Sequence, residues 1–252
     1  MRGQDPTARA RKNTVMIGTA RHRRVPGWVV ATVAAAAFAA IALIGVLITS
    51  NPGWSAQEIR IVIAVNGTST AALDAIAHTI AVLLGPTGAA VITLGAMALA
   101  ALLARSWVLG LRLGILIGFS WGTADLVKAL VQRPRPDPAL LPFPPAVEPT
   151  TFSYPSGHTA FAVALGVSVF ALLTLARARY ITLAAAIILV AATAWSRVYL
   201  GVHYPTDTLA SMFLVPFLVW ALVRWTGRIS LFTRKGADRA HAASSGRWQR
   251  QP

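Results

Sequence analysis

From Gly27 to Thr49 the chain runs without a charged residue, and further apolar runs follow at about 86–104, 107–130, 157–176, 180–200 and 206–225. A hydrocarbon layer ~30 Å thick is crossed by roughly 20 helical residues, so runs of this length leave few folds open. Backbone polar groups at lipid depth must be satisfied within the segment or in a closed barrel. The period-2 alternation of a membrane barrel is absent, which leaves helices. The expected fold is all-α, a polytopic membrane protein with a six-transmembrane-helix bundle. Composition agrees, with 56% hydrophobic and only 12% charged residues.

Three regions follow: a basic, disordered cytoplasmic tail over 1–26, a membrane domain over 27–225, and a second basic cytoplasmic tail over 226–252. A signal peptide competes for the first run. That run exceeds an h-region of ~7–15 residues and has no convincing small-residue cleavage site, so a retained span is expected. Segment 54–85 mixes Glu58, Arg60, Asn66, Asp74 and His78 with apolar residues. It reads as an outer-surface loop with an interfacial helix, with two short spans inside 71–104 as the alternative.

Charge orients the spans. The net charge of +15 would suggest nucleic acid in a soluble protein, but here the cations sit at the ends of apolar runs. Eighteen of the 23 Lys and Arg fall in 1–26, at Arg105 and Arg112, at Arg177 and Arg179, or from Arg224 onward. All of these lie on the side holding both termini, which the positive-inside rule makes cytoplasmic. The charge is thus a topology signal, and no nucleic-acid partner is expected. The chain has no cysteine, which excludes disulfides, thiolate zinc sites and thiol nucleophiles.

The opposite side keeps Arg60, Lys128, Arg133, Arg135 and Arg197, four of them at span ends where the rule discourages them. Ionisable groups so placed are candidates for function. Polar residues cluster there in three stretches. The third span ends in Lys128-Ala-Leu-Val-Gln-Arg-Pro-Arg135-Pro136, and the fourth begins after Tyr154-Pro155-Ser156-Gly157-His158. The fifth joins the sixth through Ser196-Arg197 and His203-Tyr-Pro-Thr-Asp207. The topology brings all three to one depth on one face.

Their chemistry suits phosphoryl transfer. Lys128, Arg135 and Arg197 match a tetrahedral dianion, since Arg donates in a planar fork and Lys acts as a mobile point charge. Ser156 and Gly157 just before a helix offer a capping hydroxyl and free backbone N–H groups, a natural phosphate seat. Two histidines divide into one nucleophile and one general acid. Asp207, four residues after His203, is placed to hold one ring nitrogen and leave the other free. Pro205 fits the first turn of the last helix, which puts Asp207 just inside it.

The spacing K-x6-R-P, then P-S-G-H, then S-R-x5-H-x3-D resembles the signature of the type 2 phosphatidic acid phosphatase family. That family is the membrane branch of a superfamily that also holds vanadium haloperoxidases and bacterial acid phosphatases. The resemblance covers about 86–225 and implies a metal-independent phosphatase without cofactor. It implies that His203 forms a phosphohistidine, that His158 protonates the leaving oxygen and that Asp207 orients His203. Lys128, Arg135, Ser156, Gly157 and Arg197 would hold the phosphate. The substrate would be a lipid phosphomonoester or diphosphate, such as phosphatidic acid, phosphatidylglycerol phosphate or a polyprenyl diphosphate, met at the extracytoplasmic face of a bacterial plasma membrane. An outward-facing site tilts the choice toward the polyprenyl carrier.

Structural readings stand beside each role. Lys128 would snorkel and pair with Asp125 one turn deeper. Arg133, outside the fixed motif positions, reads as an interfacial anchor or a headgroup contact. Arg197 would cap the fifth helix. His78 carries no motif, and Pro-rich 137–154 is either a stiff connector or an apolar lid. Two rival functions remain: a lipid phosphotransferase using the same histidine, and a non-enzymatic transporter or scaffold. The paired repeats and broken helices of a transporter are not evident. Oligomeric state is not legible.

Overall fold

A computed structural model describes residues 25–145 and 150–232; most of both expected tails lies outside the described residues. Eight α-helices and no strand occur among them. They are α1 (Gly27–Thr49), α2 (Pro52–Asn66), α3 (Ala71–Leu83), α4 (Pro86–Ala104), α5 (Trp107–Val131), α6 (Gly157–Leu172), α7 (Ala176–Tyr199) and α8 (Pro205–Thr226). Five helices, α1, α4, α5, α7 and α8, are long and apolar enough to cross a membrane. They carry exposed Leu43 and Leu47, Leu94 and Leu102, Phe119, Ile187 and Ile188, and Phe213. A water-soluble domain rarely exposes apolar surface on this scale, whereas lipid accepts it.

The sixth expected span differs. α6 has 16 residues, about 24 Å at ~1.5 Å per residue. The expectation of 157–176 ran too far, because the chain breaks at 173–175 and α7 already starts at Ala176. Arg177 and Arg179, expected in a connecting loop, belong to the first turn of α7. Arg179 places its guanidinium over the Phe170 ring, with Cζ 4.4 Å from the centroid, a cation–π contact. α6 is sheathed by protein rather than lipid, with Thr159 through Ala164 all buried. Phe161 packs with Leu116, Ile117, Val215 and Val219 in the main core cluster.

Segment 54–85 forms two helices, α2 and α3, that meet at 119°. Glu58, Val62 and Asn66 recur every four residues and are the buried face of α2. Val62 packs with Leu141, Val198 and Tyr204. Asn66 grips the Pro-rich connection from both sides, donating from Nδ2 to Phe143 O at 2.9 Å and accepting from Phe143 N at 2.8 Å. Leu141 is tucked inward, while Leu140 and Phe143 face outward. The described part of the connection is therefore strapped to α2. Gly201 makes room for this: its φ is +67°, and a Cβ there would stand 2.2 Å from Leu141 Cδ1.

Arg112, counted among the cations on the side of the termini, is buried within α5, where Nε donates to Thr226 Oγ1 at 3.0 Å and Nη2 to Val223 O at 3.0 Å. It thus adds donors to a hydroxyl and a carbonyl at the C-terminus of α8, where positive charge is favourable. Within the expected C-terminal tail, Phe232 in the short 3-10 turn Ser230–Phe232 is buried, while Gly227, Arg228 and Ile229 are exposed.

Candidate active site

Three chain segments meet at one end of the bundle. Ser156 N donates to Asp207 O at 2.9 Å and Ser211 Oγ donates to Ser156 O at 2.8 Å, so the turn before α6 is hooked onto the first turns of α8. Ser156 is the N-cap of α6, and its Oγ accepts from Thr159 Oγ1 at 3.1 Å. The first N–H groups of α6, those of Gly157 and His158, have no intrahelical partner. Trp121 of α5 donates from Nε1 to Gly157 O at 3.1 Å. A Cβ built on Gly157 would lie 3.8 Å from Lys128 Nζ, which places that lysine beside the same helix start.

His203 stands between α7 and α8, 2% exposed. Its Nδ1 is 3.3 Å from Asp207 Oδ2, which also accepts from Tyr204 N at 2.8 Å. A carboxylate only accepts, so Nδ1 carries the proton and Nε2 keeps its lone pair. That lone pair faces Arg135 Nη1 at 3.3 Å. Burial holds the His203 imidazole well below its usual basicity, and the positive fields of Arg135, Lys128 and Arg197 push it the same way. Burial likewise brings the Arg135 guanidinium down to about 10, with Asp207 opposing.

Arg135 is spread over several acceptors. It donates from Nη1 to Val202 O at 2.6 Å, and from Nε to Thr151 O at 2.7 Å. A cleft of about 270 Å³ opens beside it, lined by Pro134, Asp137, Thr151, Gly201 and Val202 among others. His158 Nε2 lies 3.1 Å from Ala81 O on α3; because a carbonyl only accepts, Nε2 is the protonated nitrogen and Nδ1 is left open. Arg197 does not cap its own helix. Its Nη2 donates to Ser196 Oγ at 2.7 Å and to Ala77 O of α3 at 3.4 Å, while among the described residues its buried Nε has no partner. The expected Asp125–Lys128 pairing exists only as a 4.0 Å approach to a largely exposed carboxylate.

All eight residues expected from the sequence thus gather at this end of the bundle. Arg133 was misjudged. Far from an interfacial anchor, it is 1% exposed and joins Glu58 Oε2 at 2.7 Å to Asp207 Oδ1 at 2.8 Å. Glu58 was missed as a site residue, although it is one of eight acids in the chain and shares the buried face of α2 with Val62 and Asn66. No group of three or more His, Cys, Asp or Glu is arranged for a metal ion among the described residues.

Residues 89–230, over half of the chain, match the model of the PAP2 superfamily. The chain belongs to that superfamily. By this membership it is a phosphatase, and its motifs Lys128 to Arg135, Ser156 to His158 and Arg197 to Asp207 all fall inside the matched stretch. Its fold is shared with a transmembrane PAP2-type phosphatidylglycerolphosphate phosphatase from Bacillus subtilis, at a TM-score of 0.66 and 23% sequence identity. The superposition covers 78% of this chain and 96% of that one. Among curated proteins, none matches the sequence. α2 and the Glu58 it carries precede the matched stretch.

Proposed function

We propose that this PAP2 phosphatase hydrolyses a lipid phosphomonoester or diphosphate at the extracytoplasmic face of a bacterial plasma membrane, through a phosphohistidine on His203. The observation that carries the reading is the pairing of His203 Nδ1 with Asp207, which leaves Nε2 unprotonated and turned toward Arg135. Positive charge on both tails and on the two expected connections that share their side supports the outward placement of the site.

In the proposed cycle the phosphoryl group sits at the start of α6, near Lys128, Arg135 and Arg197, with Arg135 turning from His203 onto a phosphoryl oxygen. His203 Nε2 attacks phosphorus in line, forming the N–P bond as the P–O bond to the lipid breaks. His158, doubly protonated at that moment, gives its proton to the leaving oxygen. The cations and the N–H groups of Gly157 and His158 neutralise charge on the equatorial oxygens. His158 then takes a proton from water, whose oxygen attacks phosphorus. The N–P bond breaks, phosphate leaves, and His203 regains its lone pair.

The substrate stands as a lipid whose phosphate reaches the surface while its tails remain in the bilayer. Phosphatidic acid, phosphatidylglycerol phosphate and polyprenyl diphosphates share that chemistry. The test is phosphate release from a panel of these lipids in detergent, with and without EDTA, together with acid-quench trapping of an acid-labile phosphoprotein. Release that survives EDTA and vanishes with the trapped species in His203→Ala is the expected result. Full activity in His203→Ala, or loss with EDTA, overturns it. Transfer of the trapped phosphate to an added lipid or sugar alcohol in place of water would reveal a phosphotransferase.

A further inference from the structure

Arg133 is buried with both terminal nitrogens bonded, while among the described residues its Nε has no partner. Nη1 donates to Asp207 Oδ1 and to Thr206 Oγ1, each at 2.8 Å. Nη2 donates to Glu58 Oε2 at 2.7 Å and to Ser55 Oγ at 3.1 Å. The Tyr204 ring covers one face of the guanidinium, 4.0 Å from centroid to Cζ. Glu58 is equally engaged: Oε1 accepts from Thr206 N and Oε2 from Thr206 Oγ1, both at 2.8 Å. A carboxylate from α2 therefore closes the first turn of α8, where a negative charge is favourable.

One cation is shared here between two buried carboxylates, and only one of those carboxylates faces the histidine. A buried charge is tolerated when it is paired and fully hydrogen-bonded. A simple ion pair between Arg133 and Asp207 would already pair those two charges. Glu58 adds a second claim on the guanidinium, and so sets how much of the Asp207 charge Arg133 neutralises.

We propose that Glu58 and Arg133 are positioning residues for His203, acting through Asp207. Arg133 holds Oδ1 so that Oδ2 faces His203 Nδ1, and Glu58 holds Arg133 and the start of α8 in place. The inference rests on the proposed role of His203 as nucleophile. The groups facing His203 are Asp207 and Tyr204 at the start of α8, Arg135 on the connection, Lys128 on α5, His158 on α6 and Arg197 on α7. Against these, Arg133 and Glu58 act from behind the carboxylate and with opposite sign. Loss of the Arg133 charge leaves Asp207 more negative and favours the imidazolium. Further loss of the Glu58 charge reverses part of that change.

The experiment compares Arg133→Gln, Glu58→Gln/Arg133→Gln and His203→Ala in purified full-length protein, reading kcat and KM against pH with one lipid phosphate. The acid limb of kcat/KM includes ionisation of the substrate, which is common to every variant, so differences report the enzyme. In Arg133→Gln the limb should move to higher pH by about half a unit or more. Adding Glu58→Gln should bring it back toward the parent position. A limb that stays in place in Arg133→Gln, or that the second substitution fails to lower, overturns the proposal.

If Arg133→Gln, with two carboxylates left facing each other, is not recovered as a monodisperse species, a second readout applies. The double variant, which removes both charges together, then decides by its kcat. A loss of about tenfold or more at nearly parental KM supports positioning, and a smaller loss overturns it. His203→Ala separates the two levels. Activity in that variant removes the nucleophile reading itself, whereas an inactive His203→Ala beside an unmoved limb removes only the role of Glu58 and Arg133.

Discussion

Asp207 reaches back one helical turn to His203, with Oδ2 3.3 Å from Nδ1, while its other oxygen is held at 2.8 Å by Arg133. The carboxylate is completely buried and has no freedom to serve the histidine from another direction. One contact therefore decides both which ring nitrogen carries the proton and where the other points.

Asp207→Asn keeps the shape and removes the charge. An amide NH₂ turned to Nδ1 would favour the opposite tautomer and put the proton on Nε2, where the proposed attack needs a lone pair. In a serine-protease triad the equivalent change costs ~10⁴ in kcat. A fall of that order, with KM changed little, is expected from steady-state phosphate release.

Acid should inactivate and destabilise the protein together. The folded state holds His203 well below its ordinary imidazole range, so between that value and ~6.5 the unfolded chain binds more protons. The stability contributed by neutral His203 is complete above ~6.5 and is lost as pH falls toward the folded value. Thermal unfolding in detergent should show a Tm that declines below about pH 6.5, with a shallower decline in His203→Gln.

Gly201→Ala tests the strap over the site. The position has φ +67°, and the added methyl would collide with Leu141. A cost of about 1–3 kcal/mol is expected, seen as a lower Tm. Because Val202 O is an acceptor for Arg135, kcat/KM should fall in the same variant.

Arg112→Met addresses stability far from the chemistry. It removes the donors to Thr226 Oγ1 and Val223 O at the end of α8, leaving Gly227 N as the backbone donor to Val223 O. The loss should be about 1–3 kcal/mol in thermal unfolding, with kcat of the surviving folded protein unchanged.

The eight motif residues were legible because their spacing is local. K-x6-R-P, P-S-G-H and S-R-x5-H-x3-D each sit at a helix end, and alternate ends of successive spans share a side of the membrane. Hydrophobic run length located α1, α4, α5, α7 and α8 for the same reason, since lipid imposes its thickness on each span separately. The limits of α6 were misread because that helix is covered by protein rather than lipid, so its length is set by its neighbours.

By itself, then, the sequence determined a helical membrane phosphatase of the PAP2 superfamily and which eight residues to expect together at one end of its bundle. Tertiary structure alone decided that Arg112 caps α8, that Arg197 reaches α3, and that Arg133 is enclosed between Glu58 and Asp207. The physical reason is separation along the chain. Glu58 lies 75 residues from Arg133 and 148 from Thr206, and no periodicity or spacing rule links positions so far apart. Only the packing of α2 against the start of α8 makes the one acid of α2 the partner of a buried arginine.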